Sequence, residues 1–583
     1  MNCPYFAFTC HLAPCIATLY TPLQSIHTMT LQLHVTLLLF LLVVGATARR
    51  NVLFIAVDDM RPSIGAFNFS LAHTPNMDRL AANGLTFSRA YVQYAFCAPS
   101  RNSFMSGRRP DTTRVWNFHD HFREVGVGDQ WRSMPEFFKD QGYITMGSGK
   151  LYHPTVPPDN DYPKSWSTDQ RYYSPECMPQ GGGNHCAHST PPHGNVQVGG
   201  SSGPFTCLSR DPPGNDPPGK VKNSVNGSTL CVANTTKDEH RFDYQLEDQR
   251  IRDSCVDQLH VASKALKAPV SKNFFIACGF HKPHVPWVFP SEFLDYYPSD
   301  LNDIPLADDT YAPTGMPDVA WHPAADVLGM EESPSFNGTC NETRARNFRR
   351  GYYAAISYTD YNIGVLLDTL DELGLANDTV VAVMGDHGWQ LGEHDTWAKM
   401  TNWEVAVRTP LIIRAPWKES SVGKVTRVLA EAVDLYPTFA ALAGLPTPES
   451  LGEEINGTNL VPVFDDPEAS HIALKPAAFS QFAKPFRSKP FEFWPTPARN
   501  ATQIMGYTVR VDQWRYTSWF GFDGKKVVPK VNEILGRELY DHRGDPGELD
   551  WKGEHVNVVD DHRDVVASLH SKLLNYIRLY PVQ

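Results

Sequence analysis

Short apolar runs recur along this chain, and polar residues follow each of the clearest ones at once. Four such runs, rich in β-branched and aromatic residues, are Asn51–Val57, Tyr143–Met146, Phe274–Cys278 and Val380–Met384. The polar clusters that follow them are Asp58–Asp59, Gly147–Lys150, Gly279–His284 and Gly385–Gly388. Runs of this length and composition predict buried β-strands. Because ligands of open α/β sheets bind beyond the carboxyl ends of the strands, we expect the four polar clusters to share one site.

Helical periodicity appears between the predicted strands. Its clearest example is an apolar series at helical spacing, which Gly374 ends: Ile363, Leu366, Leu367, Leu370 and Leu373. Apolar strands that alternate with such helices predict the α/β class. Strands that are apolar throughout further predict a large, mostly parallel sheet sandwiched by helices.

Two stretches interrupt this alternation. Residues from about 174 to 235 are rich in Pro, Gly, Asn and Cys, which predicts a long surface insertion. Pro, Gly and Glu accumulate again near 446–472, and aromatic-rich runs such as Trp514–Phe520 follow. We therefore expect a large α/β domain over 49–465 that contains the insertion, and a smaller C-terminal α+β domain over 466–583.

The first 48 residues have the features of a secretory signal peptide. Leu37–Val44 is an apolar run too short to span a bilayer, and Ala46–Ala48 is a small-x-small cleavage site. No basic segment precedes the run and Met29 lies just upstream, so residues 1–28 are interpreted as an over-long start. We predict entry into the secretory pathway, with a lysosomal or extracellular product and no stable membrane anchor. The alternative is an N-terminal anchor.

Sequons and cysteines indicate the same compartment. Eight N-x-[ST] sequons predict a glycoprotein, and their asparagines are Asn68, Asn226, Asn234, Asn337, Asn341, Asn377, Asn456 and Asn500. The expected disulfide partners are the four cysteines of the predicted insertion, with connectivity left open: Cys177, Cys186, Cys207 and Cys231. The chain of 583 residues carries a formal charge of −12, which argues against nucleic acid as a partner.

The stretch Cys97–Gly107 combines helix signals with reactive residue types. Pro99 suits the first helical position and Gly107 suits the end, so we predict a helix with Cys97 at its N-terminus. Free backbone amides and the helix dipole favour an anion there. Arg101 follows one turn later on the same face. The alternative for a lone cysteine is a small buried hydrophobe or one half of a disulfide.

Asp58, Asp59 and Asp386 supply carboxylates from two predicted strand ends. A set of oxygen ligands suits a hard cation, and Ca²⁺ tolerates irregular geometry better than Mg²⁺ does. Taken alone, an Asp-Asp pair is more often part of a turn or a helix cap. The prediction of a Ca²⁺ site therefore depends on the motifs around it.

Several motifs in a fixed order carry a resemblance to a known family. They are Val57–Ser63, Cys97–Arg114, Gly149–Pro154, His281–Pro286, Asp386–His394, Trp397–Lys399, Ile504–Tyr507 and Glu538–Tyr540. Through them the chain resembles the type I sulfatases of the alkaline-phosphatase superfamily. Within that family it is most similar to the branch that acts on 2-O-sulfated iduronate. The motifs cover most of the chain that follows the predicted signal peptide.

The resemblance implies the central chemistry of the site. It implies that a formylglycine-generating enzyme oxidises Cys97 to formylglycine. The hydrate of this aldehyde has two hydroxyls, so one can attack sulfur and the other can later expel sulfate. Carried over by position, Asp58, Asp59, Asp386 and His387 surround Ca²⁺ together with residue 97.

The resemblance also implies roles for the basic residues. Arg101 would stabilise the hydrate alkoxide, while Lys150 and Lys399 would hold sulfate oxygens. His153 would help to remove the hydrate proton when sulfate is expelled, and His284 would protonate the leaving sugar oxygen. Taken singly, lysines and arginines are usually solvated surface charges, and a histidine after a strand is usually structural.

The activity that the resemblance implies is removal of the 2-O-sulfate from iduronate at the ends of heparan or dermatan sulfate fragments. Sulfated glycosaminoglycan oligosaccharides are then the expected substrate. Two alternatives use the same aldehyde: a sulfatase for another sulfated carbohydrate, and a phosphonate or phosphodiester hydrolase. A third alternative, from a different class, is an inactive glycoprotein that binds sulfated glycans.

Overall fold

The computed structural model describes residues 49–168, 172–173, 205–207, 230–233, 236–238, 245–285, 287–322, 340–468, 474–485, 497–544 and 552–580. The predicted signal peptide over 1–48, with the alternative start Met29, lies outside these residues. So do most of the predicted insertion, with Cys177 and Cys186, and the sequons at Asn226, Asn234 and Asn337.

Strands are numbered here in chain order. They are β1 Asn51–Val57, β2 Leu85–Tyr91, β3 Ile144–Gly149, β4 Phe205–Cys207, β5 Leu230–Ala233, β6 Phe274–Phe280, β7 Trp287–Pro290, β8 Thr379–Gly385, β9 Gln390–Leu391, β10 Trp397–Ala398, β11 Arg408–Arg414, β12 Lys424–Glu431, β13 Ala478–Lys484, β14 Ile504–Arg510, β15 Trp514–Asp523 and β16 Val528–Asp541.

The α-helices are numbered in the same way. They are α1 Pro75–Ala82, α2 Cys97–Ser106, α3 Pro110–Thr113, α4 Met134–Asp140, α5 Glu247–Leu266, α6 Glu342–Glu372, α7 Glu404–Val407, α8 Leu435–Leu442, α9 Val461–Asp465 and α10 Arg563–Leu579. None of these helices has the length and apolar character needed to cross a membrane.

A seven-stranded sheet with the order β12-β2-β11-β8-β1-β6-β3 forms the centre of the molecule. Strand β1 pairs in parallel with both β6 and β8, and β3 pairs in parallel with β6. Only β11 runs antiparallel to its two neighbours, β2 and β8, within this sheet. The prediction of a large, mostly parallel sheet is therefore confirmed.

Helices cover both faces of the sheet. Every side chain of β1 is buried, as expected for a strand that is covered on both sides. Leu53 and Ile55 belong to a core cluster with residues of α5 and α6, while Val52 and Phe54 belong to a second cluster with residues of α2, α4 and α8. The predicted sandwich of helices around the sheet is confirmed.

The structure contains a disulfide that the sequence did not predict. Cys255 of α5 and Cys278 of β6 are bonded inside the first core cluster. Of the four predicted partners, only Cys207 and Cys231 lie in described strands, where they stand opposite each other in the β4–β5 register. Their disulfide bonding stays a prediction.

The C-terminal part of the chain forms a second sheet, antiparallel, with the order β13-β14-β15-β16. Helix α10 packs against it, and their shared core includes Tyr516, Phe520, Leu573 and Tyr576. This is the α+β arrangement expected for this region. Arg50–Gln583 form one compact unit, so a domain boundary at 465/466 stays a prediction.

Candidate active site

The carboxyl ends of four neighbouring strands bring the predicted polar clusters to one edge of the sheet. Val57 at the end of β1 is in register with both Phe280 of β6 and Gly385 of β8. Gly149 of β3 is in register with Gly279 of β6. The residues that follow these strand ends therefore emerge side by side.

Helix α2 places Cys97 at this edge. The helix begins at Cys97 itself, with Phe96 in an extended conformation before it. Pro99 is therefore the third helical residue, whereas the sequence predicted that it would be the first. The amides of the first turn have no partner within the helix, so a proline costs no hydrogen bond there. Gly107, with φ of 69°, ends the helix as predicted. Only 1% of Cys97 is exposed.

Arg101 joins three strand ends, one turn beyond Cys97. Its Nε donates to Asp386 Oδ2 at 2.9 Å, and one terminal nitrogen donates to Asp58 Oδ1 at 2.9 Å. The other terminal nitrogen donates to the backbone oxygen of Lys150. All three charged side chains are completely buried. The guanidinium is therefore fixed by the residues that directly follow β1, β3 and β8.

Two lysines approach the sulfur of Cys97 from different elements. Lys150, after β3, donates to Asp58 Oδ2 at 2.6 Å, and its Nζ lies 3.9 Å from Sγ of Cys97. Lys399, after β10, donates to Asp59 Oδ1 at 2.7 Å, and its Nζ lies 3.2 Å from the same sulfur. Each lysine thus pairs with a different aspartate of the Asp58–Asp59 pair.

His387 faces both the sulfur and the carboxylates. Its Nε2 lies 3.4 Å from Sγ of Cys97, 3.4 Å from Asp59 Oδ1 and 3.5 Å from Asp386 Oδ2. Its Nδ1 is 3.0 Å from the backbone oxygen of Gly388, a contact that requires a proton on Nδ1. The neutral ring therefore presents the lone pair of Nε2 to the site.

The two remaining predicted histidines lie farther out. Nε2 of His284 is 3.8 Å from Asp59 Oδ2, and 26% of the His284 side chain is exposed. The ring of His153 stacks on Phe118 at 4.2 Å, and Phe118 stacks on Phe96 at 4.0 Å. The structure thus places His284 at the carboxylates, while the ring of Phe118 lies between His153 and Phe96, the residue that precedes Cys97.

The comparisons with known proteins agree with this geometry. A family model described as Sulfatase matches residues 50–445. The chain belongs to the sulfatase family. It is accordingly a sulfuric ester hydrolase.

Two curated relatives match this sulfatase over nearly its whole length. Iduronate 2-sulfatase of Mus musculus is 33% identical and covers 92% of this chain and 94% of its own length. Iduronate 2-sulfatase of Homo sapiens is 34% identical, with coverages of 86% and 90%. A phosphonate monoester hydrolase from Silicibacter pomeroyi shares the fold at 20% identity, with a TM-score of 0.62 and coverages of 91% and 96%.

The carboxylates of this sulfatase site differ in their electrostatics. Burial acts to raise the pKa of Asp58, but Lys150 and Arg101 outweigh it and hold that pKa well below its usual range. Burial and the neighbouring aspartates raise the pKa of Asp59 well above its usual value, despite Lys399. Burial and Asp58 together raise the pKa of Asp386 to about 6, against the effect of Arg101. Three buried carboxylates thus repel one another.

The residues present fit a divalent cation at this position. Asp59 Oδ2 is buried and accepts no hydrogen bond among the residues that the structure describes. Ligand atoms of Asp58, Cys97, Asp386 and His387 lie within 4.8 Å of one another. A cation would offset the repulsion between the carboxylates, and their oxygens suit Ca²⁺. His387 Nε2 also points its lone pair toward them, although nitrogen is an unusual ligand for Ca²⁺.

Two residues that support the site, Tyr352 and Ser100, were missed by the sequence reasoning. Tyr352 of α6 donates its hydroxyl to the backbone oxygen of Asp59 at 2.6 Å and accepts from the backbone N–H of Arg61 at 3.0 Å. Ser100 donates its hydroxyl to the backbone oxygen of Asp386 at 2.5 Å. Tyr352 lies in a helix whose apolar periodicity predicts only packing, so no local signal marked it.

Proposed function

We propose that this sulfatase removes the 2-O-sulfate from iduronate residues of heparan and dermatan sulfate fragments. It would use formylglycine at residue 97 together with Ca²⁺. The observation that carries the choice of substrate is the 33% and 34% identity to two iduronate 2-sulfatases across most of the chain.

The modified residue and the cation would supply the central chemistry. A hydrated aldehyde at residue 97 offers one hydroxyl to accept the sulfuryl group and a second that allows its release, while Ca²⁺ offsets charge on the sulfate oxygens. Asp58, Asp59, Asp386 and His387 would hold the cation together with residue 97. The other tasks fall to side chains of the protein.

The three cations bind and orient the sulfate group in this proposal. Lys150 and Lys399 carry their charges to within 3.9 Å and 3.2 Å of Sγ of Cys97, where sulfate oxygens would lie. Arg101 stabilises negative charge on the oxygen of residue 97, and its two carboxylate partners keep it in place. Three cations balance three carboxylates, so a bound divalent cation makes the site positive and suited to an anionic ester.

The two outer histidines move protons. Burial, Lys150 and Lys399 lower the pKa of His284 well below its usual value, so the free enzyme holds this ring neutral. An anionic sulfate beside the ring favours its protonated form. His284 would therefore take up a proton as substrate binds and pass it to the leaving sugar oxygen. His153 would accept the hydrate proton when sulfate is released.

The proposal includes maturation in the secretory pathway. A formylglycine-generating enzyme is the partner required to modify Cys97, and the mature enzyme would be lysosomal or extracellular. Among the described sequons, Asn68, Asn341, Asn377 and Asn500 are exposed, which supports their use as glycan acceptors.

The test combines one mass measurement with one activity panel. Peptide mass spectrometry of the purified secreted enzyme should find an aldehyde at residue 97. Among sulfated disaccharides, those with a terminal 2-O-sulfated iduronate should be hydrolysed with the highest kcat/KM, and chelation of Ca²⁺ should abolish turnover. A phosphonate monoester turned over faster than every sulfate ester would overturn the proposal in favour of the alternative hydrolase. An unmodified thiol in a fully active enzyme would overturn the proposed chemistry.

A further inference from the structure

A buried ion cluster lies next to the active site without touching the sulfur of Cys97. Glu393 Oε1 accepts from Arg61 at 2.8 Å and from Arg349 at 3.3 Å. Its Oε2 accepts from the backbone N–H of Leu391 at 2.6 Å. The side chains of both arginines are 1% exposed and that of Glu393 is 7% exposed. The carboxylate thus pairs with two cations in an environment that is largely shielded from water.

The cluster joins three separate elements. Arg61 belongs to the segment after β1 that carries Asp58 and Asp59. Arg349 belongs to α6, and Glu393 belongs to the β9–β10 hairpin, which leads to Lys399. Arg61 and Arg349 also donate to backbone oxygens at the start of this hairpin, at 3.3 Å and 3.0 Å. One carboxylate therefore connects the segment of the aspartates to the segment of the lysine.

Both connected segments have strained backbones. Asp59 has φ of 61°, and the hairpin segment contains His394, Asp395, Ala398 and Met400 at φ of 58°, 60°, 76° and 76°. Such left-handed residues other than glycine cost about 1–3 kcal/mol each and persist only where surrounding contacts impose them. Lys399 lies between two of them. The hairpin therefore needs an external anchor to hold Lys399 in place.

The backbone of Glu393 contributes to the same anchor. Its oxygen accepts from the backbone N–H of Thr396 at 3.0 Å and from the Thr396 hydroxyl at 2.9 Å. At the end of the segment, Lys399 reaches Asp59 Oδ1 at 2.7 Å. The hairpin thus contacts the segment after β1 twice, through Glu393 with Arg61 and through Lys399 with Asp59.

We propose that Glu393 is a positioning residue that sets Lys399 and Asp59 against residue 97 through its pairs with Arg61 and Arg349. The inference rests on the proposed function for the roles of Lys399 and Asp59. It predicts that loss of the Glu393 charge moves both groups, and lowers both turnover and the response to Ca²⁺. A purely structural glutamate would change stability alone.

The experiment compares matched variants of the full-length secreted enzyme. Glu393→Gln keeps the shape of the side chain and removes its charge, whereas Glu393→Asp keeps the charge. Glu431→Gln is the control, because Glu431 is also buried and also pairs with two cations, Arg109 at 2.7 Å and Lys475 at 2.8 Å. For each variant the aldehyde at residue 97 is quantified. Then kcat, KM, the rise in Tm on addition of Ca²⁺, and hydrogen exchange over residues 390–400 are measured.

We expect Glu393→Gln to lower kcat by about 100-fold, the effect of misplacing a reacting group by about 1 Å. KM should change little, the Ca²⁺-induced rise in Tm should shrink, and exchange over 390–400 should increase. Glu393→Asp should recover part of kcat. Glu431→Gln should lose stability yet keep both kcat and its response to Ca²⁺.

Equal effects of the Glu393 and Glu431 substitutions on kcat and on the Ca²⁺ response would overturn the inference. If Glu393→Gln does not fold, Arg349→Met replaces it, because Arg61 still pairs with Glu393 in that variant. A weaker loss of the same kind supports the inference, and stability loss alone overturns it. Should the wild-type enzyme fail to hydrolyse any iduronate sulfate, the Ca²⁺ response and the exchange data still test the positioning of Asp59 and the hairpin.

Discussion

The hydroxyl of Tyr352 offers a test of how α6 supports the carboxylates that are proposed to bind Ca²⁺. Tyr352→Phe removes one oxygen and leaves the ring, which lies 5.9 Å from Trp287 and 6.4 Å from Trp389. The lost oxygen donates to the backbone oxygen of Asp59 and accepts from the N–H of Arg61. Asp59 and Arg61 are 0% and 1% exposed, so water does not replace it.

The expected loss of stability follows from the two backbone groups that lose their partner, the oxygen of Asp59 and the N–H of Arg61. A buried backbone group that loses its partner costs about 1–3 kcal/mol, so two of them lower the free energy of unfolding by about 2–6 kcal/mol. Asp59 is also a strained residue, with φ of 61°, and it loses the contact on its own backbone oxygen. We therefore expect its carboxylate to shift, with a loss of kcat of about tenfold or more.

Urea denaturation and steady-state kinetics on a sulfated disaccharide measure the two effects. Tyr436→Phe is the matched control, because Tyr436 is also completely buried and its hydroxyl has no hydrogen-bond partner among the described residues. That variant should be as stable as wild type, or more stable, with unchanged kcat. If Tyr352→Phe instead loses less than about 1 kcal/mol, the value of one ordinary hydrogen bond, and keeps full activity, the reasoning is refuted.

Three further predictions follow from the site and its surroundings. Cys97→Ser should accept one sulfuryl group and then stop, because an ester of serine has no second hydroxyl to expel sulfate. The mass of the intact protein should show one trapped sulfate, and continued turnover would contradict the proposed chemistry. Arg101→Met should lower the free energy of unfolding by about 3–5 kcal/mol in urea titrations, since it leaves the buried carboxylate of Asp386 without its arginine and Asp58 with Lys150 alone. A loss as small as that of a surface arginine would contradict this account of the site. Burial alone would raise the pKa of Glu393 and of Glu431, but their paired cations lower each to about 2. The stability that these two ion pairs contribute is therefore present above the unfolded pKa near 4.5 and is lost only as pH falls toward 2. Circular dichroism should accordingly show a folded protein at pH 5. Acid unfolding that is complete by pH 5 would contradict the pairing of these glutamates with their cations.

The four strand ends were predictable because their signal is local. Each strand is an uninterrupted apolar run, and parallel neighbours present the same end to one edge of the sheet. The predicted run Val380–Met384 corresponds to β8, which extends one residue farther in each direction. The apolar series that Gly374 ends lies in the last part of α6 and at the residue that caps it, Leu373. The helix itself begins much earlier, at Glu342, and this start was not predicted because the residues before the series are too mixed in polarity to show a helical period.

The supporting contacts of the site were not predictable in the same way. Tyr352 and Glu393 act on residues more than 290 positions away, at Asp59 and Arg61. The residues around Tyr352 and Glu393 in the sequence do not show whether the hydroxyl or the carboxylate has a distant partner or is exposed to solvent. The antiparallel direction of β11 was not predicted for a related reason, since an apolar run does not indicate whether its strand pairs in parallel or antiparallel with its neighbours.

The depth of Cys97 has a consequence for the order of events during biosynthesis. The residue is 1% exposed, and the strand ends, the lysines and the hairpin that surround it are contributed by chain segments as far apart as Asp58 and Lys399. A maturation enzyme needs the cysteine and its neighbours within reach of its own active site, and the finished molecule offers no such access. In the proposed function, oxidation of Cys97 would therefore have to happen while the polypeptide is still open. The catalyst for this step would compete with folding, and any mutation that speeds collapse around α2 would yield well-folded but unconverted enzyme.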